Sequence, residues 1–493
     1  MALCRINELF TLNPVSLQAM NQRWFIIGLL GITSFVSLLI STGCANIVPP
    51  QGGPRDTIPP VLLKVIPGDS STRFNSKKID FYFDEYIDVQ DPQTQLLISP
   101  LPTINPTVDA RLRDLSVRLK DSLLPNTTYT IDFGKAIKDF TEGNIAKDIR
   151  YVFSTGNYID SLEIYGKVLL AETGKTDSTL IAMLHTDPED SAVYKKKPAY
   201  IARLDKEGRF SFKNLPNQTF YLYALKDESG MRRYNDKKQL FAFAPKPVFS
   251  SLQKDSLTLY AYVSDPGTVS TLTIAAPEAT AKKTDTDKRL KYQTSIQNNQ
   301  QDILLPFLFQ FENRIKQLDS TGIRLYRDST YTVVDSVHLS LDTAGRQLTL
   351  TTPWEEGQSY HLILTKGAAE DSLGKQWIKT DTLSFTTKRK TDYGKLKIRL
   401  RGLDMSQQPV LQFVQSERVV KAVRLTGPLY EEALFYPGEY QIRILLDKND
   451  NGRWDTGSFF GNRKQPEQVI PLEKRVTVKP NWLNEYELET GSR

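Results

Sequence analysis

Lys78-Ile79-Asp80-Phe81-Tyr82-Phe83 takes polar and apolar residues in turn. An extended chain points successive side chains to opposite faces, so Ile79, Phe81 and Phe83 line one face. The alternation returns at Ser116-Val117-Arg118-Leu119-Lys120 and at Tyr129-Thr130-Ile131-Asp132-Phe133, and Tyr151-Val152-Phe153-Ser154-Thr155 closes the series. Turn-forming residues separate the runs, as in Leu124-Pro125-Asn126-Thr127-Thr128. About a hundred residues with strands at this spacing predict a two-sheet sandwich. Tyr, Phe, Thr, Val, Ile and Leu are plentiful and methionine scarce throughout, with Pro and Gly as punctuation. The fold class predicted is therefore all-β.

A chain of 493 residues is too long for one core, so several domains are expected. The formal net charge of +6 is spread along the sequence. It forms no basic stripe, which argues against a nucleic-acid partner. The only cysteines are Cys4 and Cys44, both near the N-terminus, so the body is expected to carry neither a disulfide nor a thiolate metal site. His185, His338 and His361 are the only histidines, and no two share a metal-ligand spacing. There is no G-x-S-x-G motif and no P-loop. The neighbouring acids Asp84-Glu85 and Glu431-Glu432 point to opposite faces of a strand, which suits a solvated surface better than acid–base chemistry. No enzymatic activity is expected.

The N-terminal region has the layout of an export signal. Arg23 precedes an apolar run of about seventeen residues from Trp24 to Ile40, and Ser41-Thr42-Gly43-Cys44 follows. Leu38-Leu39-Ile40-Ser41-Thr42-Gly43-Cys44 resembles the lipobox of bacterial lipoproteins. The resemblance implies cleavage before Cys44 and a lipid on its sulfur, with residues 1–43 as the signal segment. Met20 is a better start for such a signal than Met1. A retained membrane helix is the alternative, weakened by the serines, threonine and glycines in the run. Residues 44–56 then form a tether, too rich in Pro and Gly for a helix or a central strand.

Four modules are expected after the tether. Residues 57–156 resemble the bacterial Ig-like domain of S-layer and other surface proteins. The resemblance is carried by Asp56-Thr57-Ile58-Pro59-Pro60-Val61, by the phrase from Ile79 to Ile87, by the Leu124 to Tyr129 turn, by the Asp139 to Asn144 loop and by Phe153-Ser154-Thr155. Residues 160–264 carry Gly166-Lys167-Val168, Asp205-Lys206-Glu207-Gly208-Arg209-Phe210-Ser211-Phe212 and Asn214-Leu215-Pro216. That order is similar to the transthyretin-like or carboxypeptidase-regulatory-like β-sandwich, a non-catalytic unit. Residues 265–287 are polar and read as a linker. Residues 288–388 repeat the Ig-like pattern, with Phe309-Gln310-Phe311 in step with Phe81-Tyr82-Phe83. Asp371-Ser372-Leu373-Gly374 stands where Asp139 to Gly143 stood. Residues 393–489 repeat the transthyretin-like pattern, Trp454 lying as far beyond Asp447 as Tyr234 lies beyond Asp227. An alternating array of this kind argues for a built scaffold rather than one active site.

The sharpest constellation is Asp447-Lys448-Asn449-Asp450-Asn451-Gly452-Arg453-Trp454-Asp455. Oxygen ligands at alternate positions followed by glycine resemble a calcium loop, with Asp447, Asn449, Asn451 and Asp455 as side-chain ligands for Ca2+. The pattern departs from an EF-hand, because Ser458 stands where the closing glutamate belongs and a strand precedes the loop. The competing reading is a hairpin turn in which Asp and Asn side chains bind the backbone and Gly452 takes positive φ; it is the favoured one, and no cofactor is then required. Asp followed by Ser recurs at Asp121, Asp160, Asp177, Asp255, Asp319, Asp335 and Asp371. This resembles the acceptor motif of O-glycosylation in Bacteroidetes, and it equally suits a side-chain turn before a strand.

The architecture as a whole resembles the Ig-like lipoproteins of Bacteroidetes. It implies a non-enzymatic lipoprotein of the outer membrane whose sandwiches act as spacer or binding scaffold. No acidic cluster directly follows Cys44, which favours the periplasmic side over the cell surface. Expected partners are the membrane, through the lipid, and an envelope protein or glycan. The second functional reading is a glycan-binding surface lipoprotein, with Trp354, Trp377 or Trp454 stacking on sugar rings.

Overall fold

The computed structural model describes residues 55–265 and 288–490. The signal segment, Cys44, most of the tether, nearly all of the linker and the last three residues lie outside the described residues. The described chain is almost entirely β-structure, in sheets packed around four main apolar cores.

In the first sandwich, Leu62–Ile66, Lys78–Phe83, Asp114–Arg118 and Thr107–Arg111 form one sheet in that order. Leu97–Ser99, Thr128–Asp132 and Arg150–Ser154 form the second. Ile79, Phe81 and Phe83 face the core with Leu115 and Val117, as the alternation requires, and meet Tyr129, Ile131, Tyr151 and Phe153 from the other sheet. The third sandwich repeats this topology. Tyr292–Thr294, Phe307–Phe311, Gln347–Thr351 and His338–Leu341 make one sheet, and Asp381–Thr387, Ser359–Leu364 and Ile323–Arg327 belong to the other.

The repetition reaches single atoms. In the first sandwich the Tyr129 hydroxyl accepts from Leu124 N–H at 2.8 Å, and Thr155 Oγ1 donates to Leu124 O at 2.7 Å. In the third, the Tyr360 hydroxyl accepts from Glu355 N–H at 3.3 Å and Thr387 Oγ1 donates to Glu355 O at 2.5 Å. Each sandwich also contains a short two-stranded ladder ending on a buried aspartate. Asp139 accepts from the amides of Glu142, Gly143 and Asn144 at 2.5–2.9 Å. Burial pushes its carboxyl up, but these amides outweigh burial and hold it below its ordinary value. Asp371 accepts from Leu373 and Lys375 amides and from Asn313 Nδ2, each at 2.9 Å.

The second and fourth sandwiches share another topology. Leu162–Leu170 lies between Arg209–Leu215, antiparallel, and Leu257–Val263, parallel. Gly394–Arg401 lies in the same way between Leu429–Phe435 and Leu483–Glu489. The remaining strands of the second sandwich run Tyr200–Arg203, Ile181–His185, Thr219–Leu225, Leu240–Phe243, and Leu240–Phe243 pairs with Leu257–Val263 so that the sheet is continuous. Those of the fourth run Arg418–Arg424, Pro409–Gln415, Gly438–Leu446, Gln468–Pro471 and form a separate sheet. Gly166 is required by close packing, since a Cβ there would meet Leu257 O at 2.2 Å.

Candidate functional site

The loop from Asp447 to Glu467 leaves the central strand Gly438–Leu446 and returns as the edge strand Gln468–Pro471. Its first half is the proposed cation loop. Asp447, fully buried, accepts from Gly452 N–H at 2.6 Å and Asn451 N–H at 3.2 Å. Asn449 Oδ1 accepts from Asn451 N–H at 3.2 Å and Asn451 Oδ1 from Arg453 N–H at 2.7 Å. The side-chain amides of Asn449 and Asn451 both donate to Asp455 Oδ2. Gly452 sits at φ 76° and Asp450 at φ 59°. The structure thus brings the four residues together, but their oxygens are spent on amides and two amide donors point at Asp455. This is the geometry of the hairpin turn; a hard cation needs six to eight oxygens, so binding one here would require the Asn449 and Asn451 side-chain amides to turn their oxygens inward. Among the described residues no group of three or more His, Cys, Asp or Glu is arranged to hold a metal.

Glu467 completes the loop and was not legible in the motif. Its carboxylate accepts from Lys448 N–H at 2.9 Å and Asp455 N–H at 3.0 Å, tying the start of the loop to its middle. It is 2% exposed. Burial pushes its carboxyl above the ordinary value, Asp447 and Asp455 nearby push the same way, and the two amides oppose them. The second sandwich builds the equivalent loop with a neutral residue. There Asp227 accepts from Arg232 N–H at 2.8 Å, and Gln239 Oε1 accepts from the amides of Asn235 and Asp236 at 2.9 and 3.0 Å. Gln239, like Glu467, immediately precedes the returning strand. The turn therefore does not depend on a third carboxylate.

The second half of the loop leaves its own sandwich and docks on the second one. Phe459, 1% exposed, packs against Tyr223, Phe241 and Phe243 with centroids 5.1–5.6 Å apart. Phe460 stacks on Tyr234 at 5.8 Å. Arg463 lies over Phe243 and Phe459 and pairs with Asp190 at 3.4 Å. Main-chain atoms join the seam: Thr456 Oγ1 donates to Val263 O at 2.5 Å, Gln465 Nε2 to Phe243 O at 3.0 Å and Val469 N–H to Ala171 O at 2.9 Å.

A sheet with one wet face alternates; here both faces are apolar. Ala182, Leu184, Leu222 and Ala224 face the core of the second sandwich, while Met183, Tyr223, Leu225, Phe241 and Phe243 form a second cluster on the opposite face. The fourth sandwich does the same with Val410, Leu445 and Val469 outside its core, and Trp454 packs against both outer clusters. The signal was present in runs such as Phe220-Tyr221-Leu222-Tyr223-Ala224-Leu225, which are too apolar for a strand with one face in water.

The three tryptophans of the glycan reading are packing residues. Trp354 lies edge-on to Tyr360 and Phe385, Trp377 is 6% exposed beside Tyr292 and Phe309, and Trp454 donates its Nε1–H to Glu467 O at 2.8 Å. Trp377 is buried, and Trp354 and Trp454 are half-buried. His361 stands on Ser359–Leu364, bonded to Ser384 and stacked on Tyr331. Of the acid pairs, Glu432 is engaged by Lys421 and Tyr430. The serines at 122, 161, 178, 256, 320, 336 and 372 are all exposed. Several of the preceding aspartates form turns as expected, Asp177 and Asp319 each accepting from the amide two residues on at 2.9 Å.

A family model described as a bacterial Ig-like domain matches residues 56–155, the first sandwich. No curated protein matches the chain. Among solved structures, similarity is found to the Bacillus anthracis TIE protein, at 11% identity over 96% of this chain and 80% of that one, with a TM-score of 0.16. BcpA, the major pilin subunit of Bacillus cereus, is 8% identical over 67% of this chain and 100% of that one, with a TM-score of 0.16. The N-terminal part of the bacterial S-layer protein SbsC is 14% identical over 34% of this chain and 40% of that one, with a TM-score of 0.15. Likeness at these TM-scores bears on neither the fold nor the function of this chain.

Proposed function

We propose that the chain is a non-enzymatic cell-envelope lipoprotein, anchored in the outer membrane through a lipid on Cys44, with the periplasmic side favoured. Its sandwiches serve as a scaffold that holds binding surfaces away from the membrane. The observation that best supports this reading is how the conspicuous acids are employed. Asp139, Asp371, Asp447 and Glu467 are buried and hold backbone turns that repeat from module to module. Acids used in this way build a scaffold and are not poised over an open cleft.

Two measurements test the proposal. Radiolabelled palmitate is expected to enter the wild-type protein and not Cys44→Ser, and Cys44→Ser is expected to leave the membrane fraction. Equal fractionation of the two would end the anchoring model. Crosslinking in intact envelopes followed by co-purification is expected to trap a defined envelope partner. We also propose that exposed Asp-Ser serines carry O-linked sugar. An exported protein heavier than its processed and lipidated sequence, and lighter by whole sugar masses when Ser122 and Ser372 are replaced by Ala, is expected; the mass of the lipidated polypeptide alone would refute it.

A further inference from the structure

We infer that the hairpin from Thr456 to Gln465 is a releasable clasp that fastens the fourth sandwich to the second, so that the modules stand in the spatial order one, two, four, three. Three seams join neighbouring modules among the described residues. Arg203 of the second sandwich donates to Thr94 O at 2.9 Å and to Gln95 O in the first. Asp302 of the third accepts from Tyr393 and Tyr436 of the fourth at 2.7 and 3.2 Å and pairs with Lys388 at 3.1 Å. The clasp makes the last seam, joining modules that are not consecutive in sequence.

Each side of this seam has its own core elsewhere. The second sandwich packs nineteen buried residues and the fourth packs sixteen without using any residue of the other. The clasp surface is mixed in character, as inter-domain surfaces are. Its centre is Phe459 in an aromatic socket. Its rim is charged, with Arg463 on Asp190 and Lys175 on Glu417 at 2.7 Å. The fit is close, since a Cβ on Gly457 would meet Tyr262 Cζ at 2.7 Å and one on Gly174 would meet Pro471 Cδ at 2.2 Å. Neither sandwich needs the other to close its core, so the contact can open without unfolding either.

Hydrogen exchange on the full chain tests the clasp, with Phe459→Ser emptying the socket and Gly457→Val wedging the seam by the opposite chemistry. In both variants, exchange is expected to quicken about a hundredfold or more in peptides covering 456–471, where Val469 N–H donates across the seam to Ala171 O, while 241–245 and 260–264, paired within the second sandwich, keep most of their protection. Protection in Gly394–Arg401 and Leu162–Leu170 is expected to stay as in wild type. Uniform loss of protection across both sandwiches would show one inseparable domain and overturn the inference. Unchanged exchange at the seam in both variants would overturn it too. This readout is independent of the lipid, so failure here leaves the anchoring proposal standing.

Discussion

Asp447→Ala will destabilise the fourth sandwich by about 2 kcal/mol in denaturant unfolding, because the Gly452 amide loses its acceptor and the Asn451 amide loses one of two, an unmade hydrogen bond costing about 1–3 kcal/mol. The orphaned group is Gly452 N–H, while Asn451 N–H keeps Asn449 Oδ1 as its acceptor, and the fully buried position of Asp447 gives water little access to replace the carboxylate. Asp447→Asn keeps one acceptor oxygen and is expected to cost about 1 kcal/mol. Glu467 supplies the contrast. Glu467→Ala takes the acceptor from two amides, Lys448 N–H and Asp455 N–H, and should cost at least as much as Asp447→Ala. Glu467→Gln should cost less than about 1 kcal/mol, because Gln239 already serves two amides with one oxygen in the second sandwich. The sign of its pH dependence follows from burial. A carboxyl raised above its unfolded value binds its proton more tightly when folded, so stability from Glu467 rises as pH falls toward that range and is lost as pH rises. Calcium is the control. If millimolar Ca2+ raises the melting temperature of wild type but not of Asp455→Ala, the loop is a metal site and the turn account fails.

The strands of the first sandwich were legible because their alternation has period two and their turns carry Pro, Asn and Gly. Phe81 and Phe309 sit at matching places in matching sheets, as the sequence repeat required. The acidic loop was legible as a constellation but not as a chemistry. Whether Asn449 and Asn451 present oxygens or amide hydrogens to Asp455 depends on side-chain rotation that spacing does not encode. Glu467 was missed because it lies twelve residues beyond Asp455 and meets it only after the chain reverses. The seam was missed for another reason. An apolar run such as Ile181-Ala182-Met183-Leu184 shows that both faces are covered, but not which segment covers the second one. Trp454 and Phe459 are equally at home in a sugar site, a core or a clasp, and only the opposing residues decide.

Acidification from pH 8 to pH 5 will cost the second sandwich about 2 kcal/mol through His185 alone. His185 is 2% exposed, edge-on to Tyr223 at 5.6 Å, and its Nε2 has no hydrogen-bond partner among the described residues. Burial pushes its pKa down to about 4; Asp187 pulls the other way and Lys196 adds to the depression. A histidine whose folded value lies below its unfolded 6.5 is held neutral by the fold. Its contribution is complete above the unfolded value, declines as pH falls from about 6.5, and is fully lost near 4, at about 1.4 kcal/mol per pH unit between. Glu467 works in the opposite sense in the fourth sandwich, so the whole-chain profile mixes the two. His185→Phe isolates the histidine, keeping a ring against Tyr223 while removing the proton site. Urea unfolding of the two proteins at pH 8 and pH 5 should show the acid penalty of the second sandwich reduced by about 2 kcal/mol in the variant. An identical penalty in both would mean that the imidazole finds an acceptor when it charges, and that the packing around Met183, Tyr223 and His185 is open enough to admit water.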